Sequence, residues 1–228
     1  MTKALLAWSS GKDSAFALVE TVRGGKLEVA GLLTTVTADY ARVSMHGVRE
    51  EVLELQARAA GLPLHTVRIP AACVNAEYER AMGEAVRAAR DDGVTHVVFG
   101  DIFLEDVRAY RERMLAGTGI APVFPLWGRD TRELAREMLD AGLAATLVCV
   151  DPRRLPESFA GRTFDRTLLD DLPRDVDSCG ENGEFHTCVT GGPMFSAPVP
   201  LRAGEVVRRD GFVFADLIPR EAVALASR

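Results

Sequence analysis

Apolar positions along the first two thirds of the chain switch between two periods. Ala4 to Trp8 is a short, almost unbroken apolar run, the pattern of a strand buried on both faces. Ser14 to Arg23 sets Phe16, Val19 and Val22 at helical spacing before Gly24-Gly25 stops it. Val29 to Thr37 is β-branched and strand-like, Val48 to Ala60 carries Val48, Val52, Leu55 and Ala59 on one helical face, and Leu64 to Ile69 alternates as a strand. The alternation predicts a helix over Asn75 to Asp92, a strand over Thr95 to Phe99 and a helix over Glu105 to Leu115. Val123 to Trp127 reads as extended, Thr131 to Ala141 as helical and Ala145 to Val150 as extended. Strands and helices in turn predict βαβ units and a mostly parallel sheet.

Beyond Asp151 the punctuation changes. Pro152, Pro156, Gly161, Pro173, Gly180, Gly183, Gly191-Gly192 and Pro193 interrupt the chain too often for a long helix. Residues 205–217 read as a hairpin turning at Asp210-Gly211. The expected architecture is α/β, an N-terminal parallel layer with a smaller, irregular C-terminal part packed on it.

Composition narrows the function classes. At 228 residues, 47% hydrophobic and 26% charged, the chain can bury a real core and has the balance of a soluble globular protein. Its net charge of −6 argues against a nucleic-acid backbone as the main partner. The apolar runs are too short to span a bilayer, and the N-terminus leads straight into a strand, so cytoplasm is the expected location and no membrane partner is expected. Cys73, Cys149, Cys179 and Cys188 form no CxxC pair, which reads as reduced, structural thiols.

Only Lys3, Lys12 and Lys26 are lysines, the other basic residues being arginines, so a lysine inside a Gly-Ser loop stands out. That loop, "SSGKDS" (Ser9, Ser10, Gly11, Lys12, Asp13, Ser14), follows the first strand and opens the first helix. Helix amides and the positive end of the dipole attract an anion there. Gly11 lets the backbone approach, the serines add hydroxyls, Lys12 adds a compact charge, and Ser14 or Asp13 is placed to cap the helix. The spacing fits neither a Walker A loop nor a dinucleotide fingerprint. Far along the chain, "CGENGEFHT" (Cys179 to Thr187) sets Glu181 and Glu184 around an Asn-Gly turn, where two carboxylates can converge to hold a cation, orient an amine or accept a proton.

Ser9 to Ser14 resembles the SGGxDS loop of the PP-loop ATP pyrophosphatases, with Ser10 in place of the second glycine. With "GENGEF", and with "MHGV" (Met45 to Val48), "GDI" (Gly100 to Ile102), "FPLW" (Phe124 to Trp127) and "GPMF" (Gly192 to Phe195) in order between and after, the chain resembles the diphthine–ammonia ligase family. That resemblance implies a HUP-type, Rossmann-like ATP-binding domain over residues 1–128 and an acceptor domain over 129–228. It implies ATP with Mg²⁺, Asp13 as a metal ligand, and adenylation of a carboxylate that ammonia then converts to an amide. Lys12, Glu181 and Glu184 are the expected catalytic residues. Ser9 to Ser14, His46, Gly100 and Asp101 are the expected nucleotide contacts. The implied acceptor is diphthine on elongation factor 2 or a related carboxylate, and a homodimer stays open. Two other readings remain beside it: a tRNA-thiolating enzyme with the same loop, and a non-catalytic ATP or AMP sensor.

Overall fold

The computed structural model describes residues 2–39, 42–43, 47–71 and 73–220. Its first half is a parallel sheet built from β1 (Thr2–Ala7), β2 (Leu27–Thr37), β4 (Leu64–Ile69), β5 (His96–Val98) and β6 (Ala121–Val123), with β3 (Arg42–Val43) paired antiparallel to the end of β2. The parallel order is β4-β2-β1-β5-β6. Connections run through α1 (Lys12–Gly24), α2 (Glu50–Ala60), α3 (Asn75–Asp91) and α4 (Glu105–Leu115). The chain winds outward from β1 to β4, then restarts on the other side at β5. The switch point between β1 and β5 is where an open α/β sheet binds ligands, beyond the carboxyl ends of its strands.

The strands are apolar on both faces because both are covered. Leu6, Leu32 and Val98 belong to one cluster, Leu5, Leu33 and Val97 to the other, which also takes in Val86 of α3 and Leu115 of α4. Helix α1 buries Ala15, Phe16, Leu18 and Val19, and ends where Gly25 takes φ +64° and returns its N–H to the Val22 carbonyl.

The second half contains α5 (Thr131–Asp140), β7 (Ala144–Val150), α6 (Arg166–Asp171), β8 (Phe185–Gly191), β9 (Leu201–Arg209) and β10 (Phe212–Pro219). The expected smaller C-terminal part is present, and it is more regular than its Gly and Pro punctuation suggests. The strands form a regular antiparallel sheet in the order β8-β7-β10-β9, and β7 belongs to it rather than to the parallel layer. The Asp210-Gly211 hairpin forms, with both residues at positive φ (52° and 84°) as a type I′ turn requires, but its strands reach out to Leu201 and Pro219. The extended stretch expected over Val123 to Trp127 ends at Val123. Pro125 to Gly128 turn instead, the Gly128 N–H bonding the Ile102 carbonyl and Leu126 dropping into the core. No helix among the described residues is long and apolar enough to cross a membrane.

The sheets share one core. Leu6, Phe16 and Leu32 lie in the same buried cluster as Leu134, Leu147, Phe164 and Phe185. Polar bonds cross the junction as well. The Val189 N–H donates to the Ser10 carbonyl at 2.9 Å, and Arg49 grips Asp216 of β10 with two nitrogens.

Candidate active site

The Ser9–Ser14 segment leaves β1 at that switch point. Ser10 sits at φ +70°, in the left-handed region, which explains why a glycine suits this position. Its carbonyl faces away from the cleft and accepts from Val189 N and from Gln56 Nε2. Gln56, fully buried on α2, also donates to the Val189 carbonyl at 2.7 Å and accepts from Trp8 Nε1 at 2.9 Å, so one side chain ties β1, the loop and β8 together. Gly11 is the N-cap of α1, with no side chain capping it, so the expected capping by Ser14 or Asp13 is not found. Ser14 Oγ instead donates back to the Gly11 carbonyl and lies 3.1 Å from Ser9 Oγ. A Cβ at Gly11 would stand 3.3 Å from the Thr187 carbonyl, a close approach that the N–H of Lys12 uses by donating to Thr187 Oγ1 at 3.0 Å.

Lys12 is 1% exposed yet charged. Its Nζ donates to both Asp13 oxygens at 2.8 and 2.9 Å and to the Cys179 carbonyl, between the rings of Phe164 and Phe185. Burial by itself lowers an ammonium pKa, but the Asp13 charge and hydrogen bond outweigh it and hold Lys12 above its usual value. Burial likewise pushes the Asp13 carboxyl up, against the pull of Lys12.

The two carboxylates of "GENGEF" do not share partners. Glu181 reaches across the junction, its Oε1 accepting from the Ile102 N–H at 2.8 Å, just past β5. Burial, opposed by that hydrogen bond and reinforced by the charge of Asp13, raises its pKa to about 7. Glu184 is 1% exposed, accepts from Asp177 N and Asn182 Nδ2, and leaves Oε2 buried without a partner. It braces its own turn and is not among the residues lining the cleft. The expectation that the pair converges on one point is therefore corrected: the turn sends one carboxylate across to the parallel sheet and packs the other inside.

The cleft itself, about 200 Å³, is lined by the loop from Ser9 to Ser14 without Ser10, by Gly100, Asp101 and Arg111, and by Cys179 to Glu181 with Phe185, His186 and Thr187. Gly100 is there for backbone contact: a Cβ would meet the Asp13 carbonyl carbon and the Ser14 nitrogen at 2.8 Å. Beside the cleft opens a larger, mostly apolar cavity of about 330 Å³ over the ends of β1 and β2, walled by Thr34, Tyr78, Met82, Phe99, Tyr110 and Met114 among others. Ser10, although in the loop, turns its side chain into the protein beside the Cys188 thiol, where Oγ makes no well-formed hydrogen bond. His46 lies outside the described residues.

Sequence reasoning missed Gln56, Arg111, His186 and Thr187 as parts of this site. Gln56 and Arg111 carry no local motif, and only the fold brings them to the loop, whereas His186 lay inside the quoted "CGENGEFHT". Thr187 sat inside the quoted motif, but its partner is 175 positions away. Cys179 lines the cleft, yet its thiol donates to the Thr131 carbonyl and burial drives its pKa far up, the reverse of a reactive thiolate. His186 is held neutral, burial and the nearby Lys12 charge lowering its pKa to about 4.

A nucleotide triphosphate fits these residues. The loop offers an anion site at a helix start, Lys12 and Arg111 bring positive charge to the cleft, and buried polar atoms of Asp101 and Arg111 lack hydrogen bonds at its wall. For a divalent cation, no group of three or more His, Cys, Asp or Glu among the described residues is arranged as a protein cage. The cleft carboxylates Asp13 and Asp101 suit only a cation held chiefly by phosphate oxygens and water.

Residues 2–122 match the family model described as the diphthamide synthase N-terminal domain, and residues 130–213 match that of the diphthamide synthase C-terminal domain. A Danio rerio protein named diphthine--ammonia ligase is 29% identical over 91% of this chain and 89% of its own length. A Homo sapiens protein of the same name is 26% identical over 91% and 85%. Among solved structures, the U34-tRNA thiolase NcsA from Methanococcus maripaludis, with its [4Fe-4S] cluster, aligns at TM-score 0.37 and 15% identity over 61% of this chain and 56% of that one, a likeness too slight to bear on function.

Proposed function

We propose, from the premise that this chain belongs to the diphthamide synthase family, that it is an ATP-dependent amide ligase forming AMP and pyrophosphate. The observation that carries this reading is the face-to-face arrangement of the loop and the "GENGEF" segment. A buried cation at the start of a helix stands across a narrow cleft from Glu181, a carboxyl with a pKa of about 7. The adenosine would occupy the apolar cavity and the β- and γ-phosphates the loop. The acceptor carboxylate attacks the α-phosphorus, the bond to the bridging oxygen breaks, and pyrophosphate leaves with the electron pair. Ammonia then displaces AMP from the mixed anhydride, an easier step because AMP is a good leaving group.

Within this reading Lys12 supplies the positive potential that stabilises the departing pyrophosphate. Gly11 and Gly100 keep the backbones close enough to form the cradle. Glu181 binds ammonium or takes the proton that ammonia loses on attack, a task for which a pKa near the working pH is suited. Glu184 holds the turn that carries Glu181. Mg²⁺ would arrive with the nucleotide, neutralising phosphate charge, with Asp13 as a protein ligand. The acceptor we propose is the one in the relatives' name, diphthine, or a carboxylate of the same class.

The test is nucleotide product analysis with Mg-ATP, ammonium and fractions of source-cell extract as the source of acceptor. AMP and pyrophosphate released only with an acceptor fraction, and abolished in Lys12→Ala, are expected. ADP and phosphate as products would overturn the reading.

A further inference from the structure

The two cavities meet, and four residues wall both: Ala7, Ser9, Phe99 and Arg111. Arg111 is the only cation among the four. It rises from α4, its guanidinium 5.2 Å above the Phe99 ring, and its Nε is 3.6 Å from Asp101 Oδ2. That separation is too long for a hydrogen bond, and both atoms are buried with no hydrogen-bond partner. Burying those two atoms without a hydrogen bond to either is costly. A guanidinium carries five donors in a fixed fork and is the side chain best matched to phosphate. Arg111 thus stands where a cavity suited to a nucleoside joins a loop suited to pyrophosphate, with its Nε donor unused and its side chain partly exposed.

We infer that Arg111 binds the α-phosphate of the nucleotide. This rests on the reading above, in which the α-phosphorus links the group in one cavity to the group in the other. The placement gives Arg111 a share in the chemistry. When the carboxylate oxygen bonds to phosphorus and the bond to the pyrophosphate oxygen breaks, charge builds on the non-bridging α-oxygens, within reach of a cation fixed at the cleft wall. Asp101 then acts as a positioning residue, holding the fork over Phe99 without consuming its donors. Burial raises the Asp101 carboxyl pKa, with Arg111 opposing that shift.

The experiment compares AMP with adenosine as probes, by titration calorimetry on the full chain, for the parent protein, Arg111→Met and Arg111→Lys. The two ligands differ only in the phosphate in question. The parent should bind AMP at least about tenfold more tightly than adenosine, the worth of one charge-assisted contact. In Arg111→Met that preference should shrink to about twofold with adenosine affinity unchanged, and Arg111→Lys should fall between. An unchanged AMP preference in Arg111→Met overturns the inference and leaves the ligase reading standing. Equal loss of AMP and adenosine binding also overturns it, because Arg111 would then be a wall of the nucleoside cavity. A parent protein that binds neither ligand removes the nucleotide reading itself.

Discussion

Replacing Glu181 by glutamine tests whether the carboxyl that crosses the junction is the strained part of the site. Glutamine keeps an oxygen for the Ile102 N–H, so the 2.8 Å bond across the junction survives. It removes only the titratable proton. In the folded protein the carboxyl pKa is raised from 4.5 to about 7, and burial is the main cause. The folded state therefore holds this proton more tightly than the unfolded chain does. The contribution to stability is fully present below about pH 4.5 and is lost as pH rises through about 7. With each pKa unit worth 1.36 kcal/mol, the ionised carboxylate costs the empty protein about 3 kcal/mol at pH 8. Partial exposure to water reduces this to about 2. Glu181→Gln should match the parent near pH 4.5 and exceed it by about 2 kcal/mol at pH 8, a rise in Tm of about 4–8 °C for a domain of this size. Urea unfolding at pH 4.5, 6 and 8 measures the difference. A gap that does not change with pH, or a glutamine variant weaker at pH 8, would refute the argument. Amide formation should fall by about a hundredfold or more in the same variant, the usual worth of a positioned acid or base.

Three further outcomes follow from the geometry. Gly100→Ala drives a Cβ to 2.8 Å from the backbone of Asp13 and Ser14. It should cost about 2 kcal/mol or more in chemical denaturation and weaken ATP binding, since the first turn of α1 must shift. Ser10→Gly relieves a left-handed serine and a buried hydroxyl without a good partner, against the loss of one buried carbon and a more flexible unfolded chain. The net expectation is a gain of about 1 kcal/mol, read as a higher Tm. Glu184→Ala removes a buried carboxylate and leaves the half-buried Asp177 N–H without its partner, while the exposed Asn182 amide can turn to water, so stability should drop by about 1–2 kcal/mol, and any loss of activity should be smaller than in Glu181→Gln.

Much of this protein was legible in the sequence because the relevant physics is local. A β-strand buried on both faces must be apolar at every position, so Ala4 to Trp8 announces itself. A loop that precedes a helix with Ser, Gly, Lys and Asp announces an anion site, and Asp210-Gly211 announces a hairpin. Short extended segments are harder: Val123 to Trp127 looks like a strand, but Pro125 and the pull of Leu126 into the core make it turn. The antiparallel sheet was hidden for a related reason. Its strands are separated by Gly- and Pro-rich connections, and pairing partners such as Cys149 and Phe214 lie far apart in the chain.

The sequence by itself determined which residues have the chemistry; it had no means of deciding which way they face. Glu181 and Glu184 are three positions apart and chemically identical, yet one lines the cleft and the other is packed behind it, because the turn between them fixes opposite directions. Lys12 was visible as a charge, but that it is buried between two phenylalanines and clamped to the Cys179 carbonyl is a result of docking one sheet on the other. Gln56 and Arg111 carry no pattern at all. Their roles exist only where strands and helices far apart in sequence converge, since hydrogen bonds and desolvation act over a few ångströms of space, whatever the distance along the chain.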